Sequence, residues 1–372
     1  MRHHAHQPTR ALALVLALAL ALALGPAIGP VSAARADHTA RADHTAAHAA
    51  DTLRDSFAAR GRHIGAATLG NKLGDPAYTG ILDREFNSVT PETELEWDSV
   101  EPLQGQFVFT RADQIVAHAR ANDMTVRGRS LIAPSSVHSA WFSNLRSATS
   151  VRAAMNHHIT SVLTHYRGQI RSWGVVTEAF TETGAVRRSH FETYLGRDFI
   201  ETAFRTARAA DPTATLCYSD FTIDDFDKPK TQAVYAMVRD FKVRGVPIDC
   251  VGFQSHFTPT YPMPANYQRT LAEFAALGVE VQVSELDVAG SGYPQAEIYR
   301  RVVVACLATL RCSGLTVWGV RDIDSWRSGD TPVLFDAAGN PKPAYYAVLC
   351  PIAALAASSP IATMSVNAVM AP

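Results

Sequence analysis

The stretch "SWGVVTEAF", residues 172–180, sets a glutamate, Glu178, straight after an apolar run rich in β-formers and follows it with Ala179 and Phe180. A run this short with that composition reads as a strand rather than a helix. A carboxylate at its end must find a partner, reach solvent or be held for chemistry, because burying it alone is prohibitive. For one isolated glutamate a structural ion pair is the ordinary reading. What decides otherwise is the company the run keeps.

The runs "HIGAAT", "FNSVT", "TVRGRSLIA", "TLCYSDF", "CVGFQSHF", "EVQVSELDV" and "GLTVWGVR" have the same character. Between them lie segments such as "RADQIVAHARAND", "VRAAMNHHITSVLTHYRG", "DFIETAFRTARAAD" and "KTQAVYAMVRDFKVRG", whose apolar residues recur at helical spacing. Two of these end at Gly, as helix C-termini commonly do. Eight strands alternating with helices across residues 51–351 predict one α/β domain, a (β/α)8 TIM barrel, in place of an open doubly wound sheet. No glycine-rich nucleotide-binding motif follows any of the runs.

The flanks read differently. Residues 1–33 carry the basic start, the apolar "ALALVLALALALALG" and a small-residue end expected of a signal peptide, so the protein is expected to be secreted, not membrane-anchored. Residues 34–50, with "ARADHT" in tandem, are expected to form a low-complexity leader, and residues 352–372 a frayed tail. A formal net charge of -1 with 19% charged residues gives no basis for nucleic-acid binding. The five cysteines, Cys217, Cys250, Cys306, Cys312 and Cys350, contain no C-x-x-C pair and in an exported chain favour disulfides over metal. The pairing stays open at this point, and one thiol is left over. No cofactor is expected, and the chain is expected to act as a monomer.

In a (β/α)8 barrel the site lies where the C-terminal ends of the strands meet. The polar residues that end the runs are Glu92, Glu178, Asp220, Gln254, His256, Glu285 and Asp287, with Trp318 on the last. Each alone is explicable as a satisfied core group; their convergence on one rim is harder to explain structurally. Two carboxylates on one rim are what a retaining glycosidase needs, one to attack the anomeric carbon and one to protonate the leaving oxygen. Glu285 suits the nucleophile, held ionised by His256 with Asp287 fixing the ring from behind. Glu178 suits the acid, for which less polar surroundings are expected. Trp318 and Trp326 offer flat faces for a sugar ring, though barrel packing accounts equally well for Trp318. No H-E-x-x-H or G-x-S-x-G occurs, and metal ligation by His256, Asp287 and Asp220 lacks a fingerprint.

These residues carry a family likeness. With "FNSVTPE", "GQFVFTRADQIV", "FIETAFRTARAADP", "VGFQSHF", "SELD" and "TVWGVRDIDSWRSGDTPVLFDAAGNPKPAY" in family order and spacing, the chain resembles the xylanases of glycoside hydrolase family 10. The resemblance implies a (β/α)8 retaining enzyme with Glu178 as acid/base and Glu285 as nucleophile, supported by His256, Asp287 and Gln254. It implies disulfides Cys217–Cys250 and Cys306–Cys312, leaving Cys350 over. It also implies a substrate-binding set comprising Glu92, Thr93, Glu96, Arg129, Thr177, Tyr218, Trp318 and Trp326.

Within that set the chain departs from the family pattern. Where the family reads Glu-Asn-Glu-Met-Lys-Trp, this chain has "ETELEW", placing Thr93 for Asn and Glu96 for Lys. Where the family reads Gly-His-Thr-Leu, one residue, then Trp-His, it has "GRSLIAP", placing Arg129, Ala133 and Pro134. Thr177 and Ser219 replace two further asparagines. By resemblance most of these line the glycone side, so the expectation is a tomatinase-like member that cleaves a hexose-bearing plant glycoside such as α-tomatine. The alternatives are an endo-1,4-β-xylanase acting on xylan and a catalytically silent carbohydrate-binding barrel.

Overall fold

The computed structural model describes residues 52–136 and 139–357. The expected signal peptide, the leader and the end of the expected tail lie outside the described residues. The strands are β1 (His63–Thr68), β2 (Ser88–Pro91), β3 (Thr125–Gly128), β4 (Ser172–Thr177), β5 (Thr215–Asp220), β6 (Cys250–Phe253), β7 (His256–Phe257), β8 (Glu280–Val288) and β9 (Cys312–Val317). Pairing is parallel from β1 to β6, then β6 to β8, β8 to β9, and β9 back to β1, which closes the sheet. The barrel therefore has eight staves, since the run "CVGFQSHF" is split: Ser255 takes a φ of 59° between β6 and the short β7, which pairs with the end of β8.

Helical amphipathicity locks the outer ring to these staves. The helix Phe199–Ala210 buries Phe199, Ile200, Ala203, Phe204, Ala207 and Ala210, one face at spacings of three and four. Helix Ala148–His165 starts where the Ser147 side chain accepts the Ser150 N–H. The final helix, Pro343–Ala357, runs past the expected domain end at Pro351. Among the described residues no helix is long and apolar enough to cross a membrane. Cys217 and Cys250 stand opposite each other on β5 and β6 and are bridged, Cys306 is bridged to Cys312, and Cys350 is free and exposed.

Arg127 lies on β3, and Arg129 follows the strand's last residue, Gly128. The layer below the rim is small and polar. A Cβ on Gly252 would come within 2.8 Å of Ser219 Oγ and 3.0 Å of Ser284 Oγ, so only glycine fits there. The Arg127 guanidinium is buried in this interior, and none of its three nitrogens has a hydrogen-bond partner among the described residues.

Candidate active site

Glu178 follows β4 directly, and its backbone is fixed before its side chain does anything. Its φ is 58°, a left-handed conformation that a non-glycine residue rarely adopts. The strain is held by its N–H donating to Ser219 O (2.9 Å) and its carbonyl accepting from Arg187 Nε (3.0 Å). Thr222 and Ser255 take similar positive φ values beside the same cleft, a clustering typical of functional sites. The turn at Glu178 swings its carboxylate over the barrel mouth.

There Oε1 accepts from Gln254 Nε2 at 2.9 Å and Oε2 from Ser135 Oγ at 2.5 Å. The expectation of less polar surroundings for this carboxyl is therefore corrected: two polar donors fix its direction. The amide of Gln254 only donates at this contact, whereas a hydroxyl gives or takes a hydrogen bond. The Ser135 hydroxyl can therefore donate to this oxygen or accept from it.

Glu285, from β8, is buried and meets a different environment. Its Oε2 lies 3.6 Å from His256 Nε2, while His256 Nδ1 lies 2.8 Å from Asp287 Oδ1. Asp287 accepts in turn from Trp326 Nε1 (2.8 Å) and Arg327 Nη2 (2.6 Å). Burial alone would lower the His256 pKa, but its two carboxylate neighbours push it up to about 9. Burial likewise works against an ionised Glu285. The His256 contact and the charges of Arg129, His256 and Arg127 outweigh it and hold the carboxyl below its ordinary range. This chain of groups keeps Glu285 an anion aimed at the cleft.

The cleft itself has a volume of about 510 Å3 and is lined by Glu92, Arg129, Glu178, Gln254, His256, Glu285, Trp318 and Trp326, together with Phe221, Thr222 and Tyr261. The predicted rim residues converge here with a few exceptions. Burial first, and then its acidic neighbours, raise Glu92 to about 7 against the pull of Arg129. Arg129 donates to Glu92 O (2.8 Å) and Glu96 Oε1 (2.6 Å), with its guanidinium 5.2 Å from the centre of the Trp318 ring. Trp326 is well exposed at the mouth, whereas Trp318 is nearly buried with one face left to the cleft.

Several expected contacts lie elsewhere. Tyr218 is buried, donating to Asp220 Oδ2 (2.5 Å) and accepting from Ala179 N–H (3.1 Å), so it braces the strand end and does not reach the cleft. Asp220 is buried against Lys230 at 2.9 Å, a structural ion pair. Thr93 does not line the cleft, and Ser219 is bound to Ser284 in the interior. Thr177 and Glu96 line an adjoining pocket, where Thr177 Oγ1 is 2.8 Å from Ser130 Oγ. The sequence reading missed Ser135, Phe221, Thr222, Tyr261 and Arg327. Arg327 and Phe221 were within reach, since they directly follow Trp326 and Asp220; the others sit on loops whose course no periodicity reveals.

Two glutamates, one of them beside a histidine, at the mouth of a closed parallel barrel find a match in a known family. The model of glycosyl hydrolase family 10 covers residues 52–351. The chain belongs to that family. Among its relatives, an endo-1,4-beta-xylanase 3 from Hypocrea jecorina is 38% identical over 288 residues, 77% of this chain and 81% of that protein. Native xylanase 10B from Thermotoga maritima superposes with a TM-score of 0.78 at 32% identity, covering 82% of this chain and 98% of the other. The xylanase 10B from Thermotoga petrophila RKU-1, solved with xylobiose, gives 0.77 at 32% identity over 82% and 98% of the two chains. The protein is therefore a retaining glycoside hydrolase that works through two glutamates. Among the described residues no group of histidine, cysteine and acidic side chains is placed to hold a metal.

Proposed function

We propose that the protein is a secreted endo-1,4-β-xylanase, with Glu285 as nucleophile and Glu178 as acid/base. The observation that carries the roles is the asymmetry of their surroundings. Glu285 faces a cationic His256 backed by Asp287, which favours a permanently charged carboxylate. Glu178 is held by Gln254 and by a hydroxyl that accommodates its proton coming and going. The substrate class rests on relatives named as endo-1,4-beta-xylanases. Two disulfides suit an oxidising compartment.

In this mechanism Glu285 attacks the anomeric carbon as the bond to the leaving oxygen breaks and Glu178 gives that oxygen its proton. A covalent glycosyl-enzyme results. Glu178, now ionised, takes a proton from water as the water attacks the same carbon, and Glu285 leaves as carboxylate. Trapping with an activated 2-fluoroxyloside is expected to label Glu285, and xylan is expected to release reducing sugar. A label on another residue would reject the roles; no turnover of xylan would reject the substrate.

One observation favours a second reading. Arg129 and Glu96 form an ion pair where the family has His and Lys, so the groups that meet the glycone differ in charge and reach. That suits a hexose-bearing glycoside such as α-tomatine, cleaved tomatinase-like from its aglycone. Parallel assays on xylan, aryl β-xyloside, β-glucoside, β-galactoside and α-tomatine separate the two readings.

A further inference from the structure

Beside Glu178 runs a chain of buried polar groups that do not line the cleft and that the two displacement steps do not use. Lys230, in helix Pro229–Val243, is fully buried and puts its ammonium 2.9 Å from Asp220 Oδ1 and 3.2 Å from Glu182 Oε1. Asp220, at the end of β5, accepts from the Tyr218 hydroxyl through its other oxygen (2.5 Å). That hydroxyl accepts in turn from the Ala179 N–H (3.1 Å), which belongs to the peptide that leaves Glu178.

A planar peptide leaves two soft dihedrals at each residue, φ and ψ. For Glu178 both are set from outside. The peptide before it is held by its N–H on Ser219 O (2.9 Å). The peptide after it is held at both ends, its carbonyl accepting from Arg187 Nε (3.0 Å) and its N–H bound by Tyr218. Such bracing is needed because φ is 58°, and a non-glycine residue stays there only where its surroundings over-determine it. Glu285, within β8, carries no positive φ.

The groups behind Tyr218 set the direction of its hydroxyl. Burial, and then the Asp220 charge, raise the Tyr218 pKa well above its ordinary range, so the phenol keeps its proton. Burial raises Asp220 to about 7, against the pull of Lys230 and of the Tyr218 hydroxyl. The phenol proton is thus committed to Asp220, which leaves the lone pairs of the same oxygen for the Ala179 N–H. Ring packing alone would make Tyr218 interchangeable with phenylalanine; these two bonds need the hydroxyl.

We propose that Tyr218 is a positioning residue for the acid/base carboxyl: with Asp220 and Lys230 behind it, its hydroxyl fixes the backbone of Glu178 and so aims the side chain at the leaving oxygen. The inference rests on the reading of Glu178 as acid/base.

Tyr218→Phe deletes the hydroxyl and keeps the ring. It is measured on the glycoside that wild type turns over, xylohexaose or α-tomatine, whose leaving group needs a proton, and on the dinitrophenyl glycoside of the same sugar, whose leaving group needs none. Misaiming the acid is expected to lower kcat on the first substrate roughly 10- to 100-fold, with KM and the dinitrophenyl first step within about twofold of wild type. Added to Glu178→Gln, the same change is expected to cost nothing further on the first substrate, because groups that act as one unit are not additive. Asp220→Asn, one contact further along, is expected to show the same split and reads it should the phenylalanine variant fail to fold. Equal losses on both substrates, wild-type activity on both, or a further loss on top of Glu178→Gln would overturn the proposal and leave the acid/base reading standing. A Glu178→Gln variant that loses both substrates equally would overturn that reading, and the proposal with it.

Discussion

His256 stands between two carboxylates, 2.8 Å from Asp287 and 3.6 Å from Glu285, and its pKa is raised to about 9 by them. A histidine whose folded pKa lies above its ordinary 6.5 stabilises the fold fully below that value and loses the contribution as pH rises through 9. Glu285, held below its ordinary 4.5, contributes above that value and loses its share as pH falls. Wild-type Tm is thus expected to decline between pH 7 and 9.5, and the His256→Ala variant to show a flatter alkaline profile. A charge-assisted contact of this kind is worth ~1.5–3 kcal/mol, so kcat/KM of the variant is expected to fall roughly 10- to 100-fold. An identical alkaline profile in wild type and variant would refute the assignment.

Glu285→Gln is expected to abolish turnover on every glycoside, because an amide cannot form the glycosyl-enzyme. Glu178→Gln should behave differently: general acid help is worth about 10²–10⁴-fold, and it matters least when the leaving group needs no proton. Activity on xylan is expected to collapse while the first step on a dinitrophenyl glycoside survives as a burst. Equal losses on both substrates would argue against Glu178 as the acid.

Arg127 makes a test in which stability and activity part company. Its buried guanidinium has no partner among the described residues, and burial lowers its pKa to about 10 while the Glu285 charge opposes the shift. Replacing buried charges by apolar groups of similar volume is often neutral or stabilising by ~1–4 kcal/mol. Arg127→Met is expected to keep or raise Tm yet move the acidic limb of the kcat/KM profile upward, since Glu285 loses one cation that holds it ionised. A large drop in Tm, with the acidic limb unmoved, would show Arg127 to be structural only.

The Arg129–Glu96 pair is partly exposed on both sides, so Glu96→Gln is expected to cost at most ~1 kcal/mol of stability. Its effect belongs in KM. A change in KM for xylo-oligosaccharides with kcat nearly intact is the expected outcome, and one that leaves KM untouched for every sugar would remove the pair from substrate recognition.

The fold was legible in the chain because the barrel's staves are short apolar runs and its helices carry a single buried face; "EVQVSELDV" corresponds to β8 residue for residue. Glu178 and Glu285 were legible for a related reason, since a carboxylate within or just beyond a buried strand must be either partnered or put to chemical use. Asp220 misled because strand-end position alone does not say which way a side chain turns: it had Lys230, some ten residues on, to pair with inside the fold. Ser135, Tyr261 and the pocket adjoining the cleft were invisible, for they depend on where irregular loops run. Sequence by itself determined the periodicities, the two candidate carboxylates and the substitutions around them, because these are local patterns in the chain. Only the tertiary structure decided which partners each charge meets and where space is left empty, because electrostatic and steric contacts form between segments that folding alone brings together.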